Sequence, residues 1–135
     1  MIGKEITTLL KANSDLTDMV PGENIFPYII DTNTPLPALI YNIDTVAPVY
    51  DKDGYSNEVV TFSIGVITND YKQHQNIIKE VRACLEPFNG NHPTTGAITN
   101  KITLVGYSEA FVLAEEAFIT RLNYSTQINI LNSIT

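Results

Sequence analysis

Residues 35–88 read PLPALIYNIDTVAPVYDKDGYSNEVVTFSIGVITNDYKQHQNIIKEVRACLEPF. Pro35 and Pro37 launch an apolar run, and the pattern predicts a strand over Leu36–Val46. That run is almost wholly apolar up to Ile43, as in a strand buried on both faces near its start. Pro48–Glu58 contains Asp53-Gly54, a strong hairpin signal, and reads as a turn region. Over Val59–Thr68 the residues alternate, with Val60, Phe62, Ile64 and Val66 on one face and Thr61, Ser63 and Gly65 on the other. This is the period of an antiparallel strand with a packed side and an exposed side. Asp70 is a good N-cap for a helix over Tyr71–Glu86. Ile77, Ile78, Val81, Cys84 and Leu85 form its apolar stripe, while Lys72, Gln75, Lys79, Glu80 and Arg82 mostly lie away from it. Pro87 ends the helix, because a residue before proline disfavours helical geometry.

Outward from this segment, residues 2–13 predict a helix with Ile2, Ile6, Leu9 and Leu10 on one face. Ser14–Asp18 offers a capped start for one more short turn, ended by Pro21-Gly22. Ile25–Ile30 predicts a short strand despite Pro27, which suits an edge or the start of a strand. Asp31–Pro35 is a loop. Asn89–Asn100 (NGNHPTTGAITN) is rich in turn formers and reads as a long surface loop. Ile102–Leu113 and Phe118–Leu131 predict the last two strands, joined tightly at Glu115-Glu116. The second alternates along its whole length and exceeds the usual strand of about 5–6 residues. The order is α-β-β-β-α-β-β. It predicts one α+β domain over residues 1–135, a mainly antiparallel sheet of about five strands with two helices packed on one face. The pairing order stays open.

A chain of 135 residues with 44% hydrophobic and 17% charged residues fits one self-sufficient domain. The lone Cys84 allows no internal disulfide and fits a reducing compartment. The N-terminal residues lack a signal-peptide pattern, and no apolar run approaches the ~18 residues of a membrane span. A soluble protein that contacts no membrane is expected. Net charge is −7. Between Ala12 and Tyr71 the acids are Asp15, Asp18, Glu23, Asp31, Asp44, Asp51, Asp53, Glu58 and Asp70, against the single base Lys52. Such a segment does not attract phosphate backbones, so a sequence-reading nucleic-acid binder is disfavoured.

No set of residues announces chemistry. His74, near Asp70 and Tyr71, has polar helical neighbours and is expected to face solvent. His92 has no acidic or cysteine partner nearby, and two histidines 18 positions apart do not match a zinc spacing. Cys84 in the apolar stripe reads as a small buried hydrophobe. Asp51-Lys52-Asp53-Gly54 lacks the remaining ligands of a calcium loop, and Gly90 and Gly96 build no phosphate-cradling motif. No catalytic residue, metal or cofactor is expected. Seven tyrosines and no tryptophan are present, several at predicted loops or strand ends, where tyrosine often anchors interfaces.

Pro35-Leu36-Pro37-Ala38-Leu39-Ile40-Tyr41 resembles a strand of the tail-completion, or tail-terminator, proteins of long-tailed phages. Val60–Val66 is similar to that family's next strand. Asn69-Asp70-Tyr71 followed by Ile77–Leu85 resembles its helix. The N-terminal helix with Leu9-Leu10, Asp15-Leu16 and the Ile25-Phe26-Pro27 approach is similar too. The loop at 89–100 and the final strands have no matching motif. The resemblance implies a non-enzymatic virion assembly protein, from a phage or prophage. It implies a ring, commonly a hexamer, that caps the tail tube and joins it to the head connector or stopper, with DNA only passing through the lumen. The location implied is the tail or neck of the virion, and the bacterial host cytoplasm during assembly. Other connector, neck or minor tail proteins, or a small cellular protein-binding adaptor, are the alternatives. An enzyme using Asp70, Tyr71 and His74 is a third reading, with no supporting geometry.

Predicted exposure points to the 50–57 hairpin tip, the 89–100 loop and an exposed sheet edge as the subunit or partner contacts. Tyr50, Asp51, Asp53 and Tyr55 mark the hairpin, and Phe88, Asn89, Asn91 and His92 mark the 89–100 loop.

Overall fold

A computed structural model describes residues 2–27, 35–51, 54–86, 102–113 and 116–129. The elements are α1 (Ile2–Lys11), α2 (Ser14–Met19), a 3-10 turn (Gly22–Asn24), β1 (Ile25–Pro27), β2 (Ala38–Asp51), β3 (Gly54–Thr68), α3 (Tyr71–Leu85), β4 (Thr103–Val112) and β5 (Ala117–Asn129). The five strands form one sheet in the order β1-β2-β3-β5-β4. β1 runs parallel to β2, and the other three pairings are antiparallel. The α+β architecture, the predominantly antiparallel sheet and the strand sequence match the expectation. The short turn at 14–18 is a third helix, α2, capped one residue earlier than expected by Asn13, whose side chain accepts from the N–H groups of Asp15 and Leu16.

The predicted turn at 48–58 is mostly strand. β2 continues to Asp51 and β3 starts at Gly54, with Asp51 opposite Gly54 in register, so cross-strand pairing runs through most of the stretch that composition marks as turn. Only three residues of the predicted 25–30 strand are strand among the described ones. Asn24 holds β1 to the start of β2, donating from Nδ2 to the carbonyl oxygens of Pro35 (3.1 Å) and Pro37 (3.3 Å).

The helices cover one face of the sheet, with α3 over β3 and β5 and α1 against β2. The core lies between these layers. The predicted stripe of β3 (Val60, Phe62, Ile64, Val66) is fully buried there with Leu122 and Tyr124 of β5, Leu39 of β2 and Ile6, Leu10, Leu16, Ile77, Val81 and Leu85 of the helices. Each buried aliphatic or aromatic side chain of this kind contributes about 1.5–3 kcal/mol relative to exposure. Phe62 and Tyr124, opposite each other in register, stack with centroids 5.5 Å apart. Both faces of β2 are buried at its start, at Ala38 and Leu39, and burial fades after Ile43.

A β-bulge between Ile43 and Thr45 lets Asp44 drop out of the ladder. An extra residue flips the alternation, so Leu39, Tyr41 and Ile43 share the core face and Val46 takes it up after the bulge. Arg121 Nη2 donates to Asp44 Oδ1 at 2.8 Å, tying β5 to the bulge across β3. On this outer face Thr45 and Thr61 share a hydroxyl–hydroxyl hydrogen bond across the strand pair.

Candidate assembly surface

Helix α3 positions the most featured surface. Asp70 caps it by accepting from the N–H of Lys72 (3.2 Å), and His74, Ile77, Ile78, Val81 and Leu85 are buried beneath it. One flank meets α2, where Asn13 Nδ2 donates to Glu80 Oε2 (3.3 Å) and to Cys84 Sγ (3.2 Å). Cys84 is only half-buried, yet burial still pushes its thiol pKa up. The opposite flank carries Lys72, Gln75, Lys79, Arg82 and Glu86, a single helical row at spacings of three and four, and looks onto edge strand β4. Gln75 Nε2 donates to Glu109 Oε1 at 2.9 Å. The Arg82 guanidinium pairs with Glu86 (2.8 Å) and sits 5.9 Å from the ring centre of Tyr107. Between helix and strand lies an open groove of about 420 Å³, floored by Ile78, Ala83 and Tyr107. Among the described residues neither Lys72 nor Lys79 has an ion-pair partner.

β4 extends beyond the shelter of the helices, so its core-side residues are poorly covered. Tyr107 is 52% exposed and Phe111 50%, and Leu113 just past the strand is 79% exposed. At this end Phe118 packs against Tyr71 (centroids 5.3 Å) and Phe111 (4.9 Å). A recess of about 230 Å³ opens among Tyr71, His74, Glu109, Phe111 and Phe118.

His74 corrects the sequence reading. It is buried, 1% exposed, rather than turned to solvent. The polar helical neighbours misled, because the ring points down into a polar slot between β3 and β5. Thr68 donates its hydroxyl to the carbonyl of Asp70 (3.2 Å), which leaves its oxygen to accept from His74 Nδ1 (2.9 Å). His74 Nε2 then accepts from the Thr120 hydroxyl (2.7 Å), the pattern of a neutral imidazole. Burial lowers its pKa, against a smaller opposing pull from Glu109.

At the other end of the sheet, β2 and β3 run past the helices as an arm. Asp44 through Val49 are exposed one after another, and Val46, Val49 and Val59 are exposed large apolar residues. By register Val46 lies on the helix-side face and Val49 and Val59 on the other, so the arm is apolar on both.

Three of the sequence-expected contact residues, Tyr50, Asp51 and Tyr55, sit at the described end of the arm. Tyr50 pairs with Tyr55 and Asp51 with Gly54 in backbone register, and Asp53 is outside the described residues. Phe88, Asn89, Asn91 and His92, with the rest of the 89–100 loop, lie outside the described residues too. The sequence points to an exposed sheet edge without saying which strand; β4 is such an edge, and the groove it makes with α3 went unseen. Its signal was present in the basic row of α3 and in the Tyr107, Glu109, Phe111 alternation, which mixes charge with aromatics as a half-covered edge strand does.

Among the described residues no group of three or more His, Cys, Asp or Glu is placed to hold a metal ion. Among the described residues no helix is long and apolar enough to cross a membrane. The Tyr124 phenol, buried and without a hydrogen-bond partner among the described residues, is pushed well above its usual pKa, chiefly by burial. The molecule is an α+β protein whose prominent features are surfaces: a two-faced apolar arm, a groove and an aromatic end.

The chain belongs to the family of tail completion protein gp17, which matches residues 4–91, from α1 past the end of α3. No curated protein matches it in sequence. Among solved structures it is similar to a chain of the virion of a native gene transfer agent (GTA) particle. That chain is 16% identical with a TM-score of 0.74, over 92% of this chain and 91% of the other. A second solved chain is 10% identical with a TM-score of 0.54, over 94% and 95%. At these identities the structural matches speak for the fold. Membership of the family gives the coarse role, a part in phage tail assembly.

Proposed function

We propose that this protein is a tail terminator. It forms a closed ring, a hexamer by the family resemblance, that caps the finished tail tube, stops its polymerisation and presents the face that joins the head connector. It works without catalysis and without a cofactor, and DNA meets it only in transit through the lumen. The whole chain acts as one domain. The observation that carries this reading is the family match over residues 4–91. The arm and the open groove support it, because a monomer gains nothing from apolar strands held out in water. The charge of −7 suits a channel to which DNA must not adhere.

Tyr50, Asp51, Asp53 and Tyr55 at the arm's tip, and Phe88, Asn89, Asn91 and His92 in the following loop, are assigned to contacts between subunits or with the tube. Purified protein should sediment as a ring-sized species and appear as rings by electron microscopy. Added to growing tail tubes, it should appear at one tube end and halt elongation. A protein that stays monomeric at every concentration and leaves tube growth unchanged would end the proposal. Deleting Asn89–Thr95 should leave folding intact and impair assembly. Unchanged assembly would remove that loop from the interface.

A further inference from the structure

The recess at the aromatic end of the sheet has walls of a distinctive kind. Tyr71 and His74 of α3 face Glu109, Ala110 and Phe111 of β4 and Phe118 of β5 across about 230 Å³. Sites that hold a whole small molecule run to about 300–1,000 Å³, so this one has room for a single side-chain head. Phe118 stands at the centre of the wall. Its ring centroid is 5.3 Å from that of Tyr71, 4.9 Å from that of Phe111 and 6.0 Å from that of His74. The interplanar angles are 62°, 50° and 42°, so the rings stand as separate walls and do not close up into a flat stack. Tyr71 and Phe111 are each half exposed, which leaves part of both rings for a guest.

Three features fix the chemistry of that guest. The faces of aromatic rings carry negative charge density and attract a cation within about 6 Å of the centroid. A carboxylate stands beside them. Glu109 accepts from Gln75 at Oε1 (2.9 Å), one of about four bonds a carboxylate can accept. Among the described residues no Lys or Arg lines the recess, and His74 holds its two threonine bonds as a neutral ring. A wider recess of about 510 Å³ shares Phe111 and Phe118, and its walls add Glu116 and again no described cation.

A flat cation suits rings and carboxylate together. Guanidinium is planar, stacks on aromatic faces and gives a carboxylate two parallel N–H bonds. This chain has no arginine to spare for the site. Its two arginines are held in ion pairs of 2.8 Å, Arg82 with Glu86 and Arg121 with Asp44.

We propose that the recess among Tyr71, Glu109, Phe111 and Phe118 receives an arginine side chain of a different protein, its guanidinium held against the rings and the Glu109 carboxylate. This rests on the tail-assembly reading and names the chemistry of one partner there, an exposed arginine on a neighbouring protein of the tail or neck.

The test is an NMR titration of the full chain, read at its aromatic protons. The probe is N-acetyl-arginine amide, and the control is N-acetyl-citrulline amide, which keeps the shape and lacks the charge. The Tyr71, Phe111 and Phe118 resonances should shift and saturate with the arginine probe, and the citrulline probe should bind at least about tenfold more weakly. E109Q keeps an acceptor for Gln75 and removes the charge, while F111A removes a half-exposed ring. Circular dichroism and thermal melts confirm the fold of both. Each should weaken binding of the arginine probe at least about fivefold and leave the sedimentation of the protein unchanged. Each should also weaken joining to tail tubes and connectors purified from the same virion. Equal binding of the two probes, or variants that bind arginine as the native chain does, overturns the proposal. Dissociation of the oligomer in E109Q overturns it too, in favour of a lysine from a second copy. A native chain that ignores the arginine probe yet caps tails refutes the recess and leaves the tail reading standing. A native chain that binds the probe through Glu109 and Phe111 yet joins no tail component keeps the arginine site and ends the tail reading.

Discussion

His74 shows how a single side chain can couple layers. It joins α3 to β3 through Thr68 and to β5 through Thr120. Burial lowers its pKa from 6.5, so the folded state holds this proton less firmly than the unfolded state. The stabilising contribution is therefore complete above about pH 6.5 and drains away as pH falls through the folded value. Urea midpoints compared between about pH 7.5 and about pH 5 should drop more in the native chain than in His74→Gln, where the titrating group is gone. Equal drops would show that His74 carries no such linkage. Two other buried groups are expected to behave oppositely to their size. Among the described residues Ser63 Oγ and the Tyr124 hydroxyl are buried without a hydrogen-bond partner, a penalty of about 1–3 kcal/mol apiece. Ser63→Ala and Tyr124→Phe should be neutral or stabilising in thermal melts, whereas Tyr124→Ala should cost about 3–5 kcal/mol by emptying the ring's place beside Phe62. A clear loss of stability in Tyr124→Phe would reveal a partner for the phenol.

Among the elements, α2 depends on its cap more than its length suggests. Six residues cannot sustain a helix by propensity alone. Asn13 supplies two backbone bonds through Oδ1 and ties the flank of α3 through Nδ2. Asn13→Ala should lower stability by about 2 kcal/mol, the upper end for a cap, and Asp70→Ala, with one capping bond, by about 1 kcal/mol. Denaturant titration separates the two, and equal effects would mean that the α2–α3 bonds add nothing. The elements that could be read from sequence were those whose period and caps agreed. β3 showed strict alternation from Val60 to Val66, and α3 showed an apolar stripe with Asp70 ahead of it. The extent of the arm could not be read, because Ala47, Pro48 and Glu58 argue against strand by composition, and cross-strand pairing overrode them. The pairing order was equally hidden, since β5 inserts between β3 and β4 through contacts far apart in sequence. Burial of His74 escaped for the same reason: Thr120, its partner, is 46 positions away.

At the scale of the whole molecule, residues 4–91 that match the family end before β4, so the groove's far wall comes from sequence the family match does not cover. Trimming the arm by replacing residues 48–57 with a two-residue Asn-Gly turn should leave the thermal unfolding of the body nearly unchanged and yield only monomers by ultracentrifugation. Rings built from the trimmed chain would show that the arm is dispensable. The Asp44–Arg121 bridge acquires a mechanical meaning here. It spans β3 close to the level of Ser63 and braces the bulge from which the arm departs. In the proposed ring each copy would turn by about 60° from its neighbour for six members and about 51° for seven. A brace that sets the pitch of the arm would then gauge the aperture: loosening it would change how many copies complete the circle, and so how wide a passage they leave.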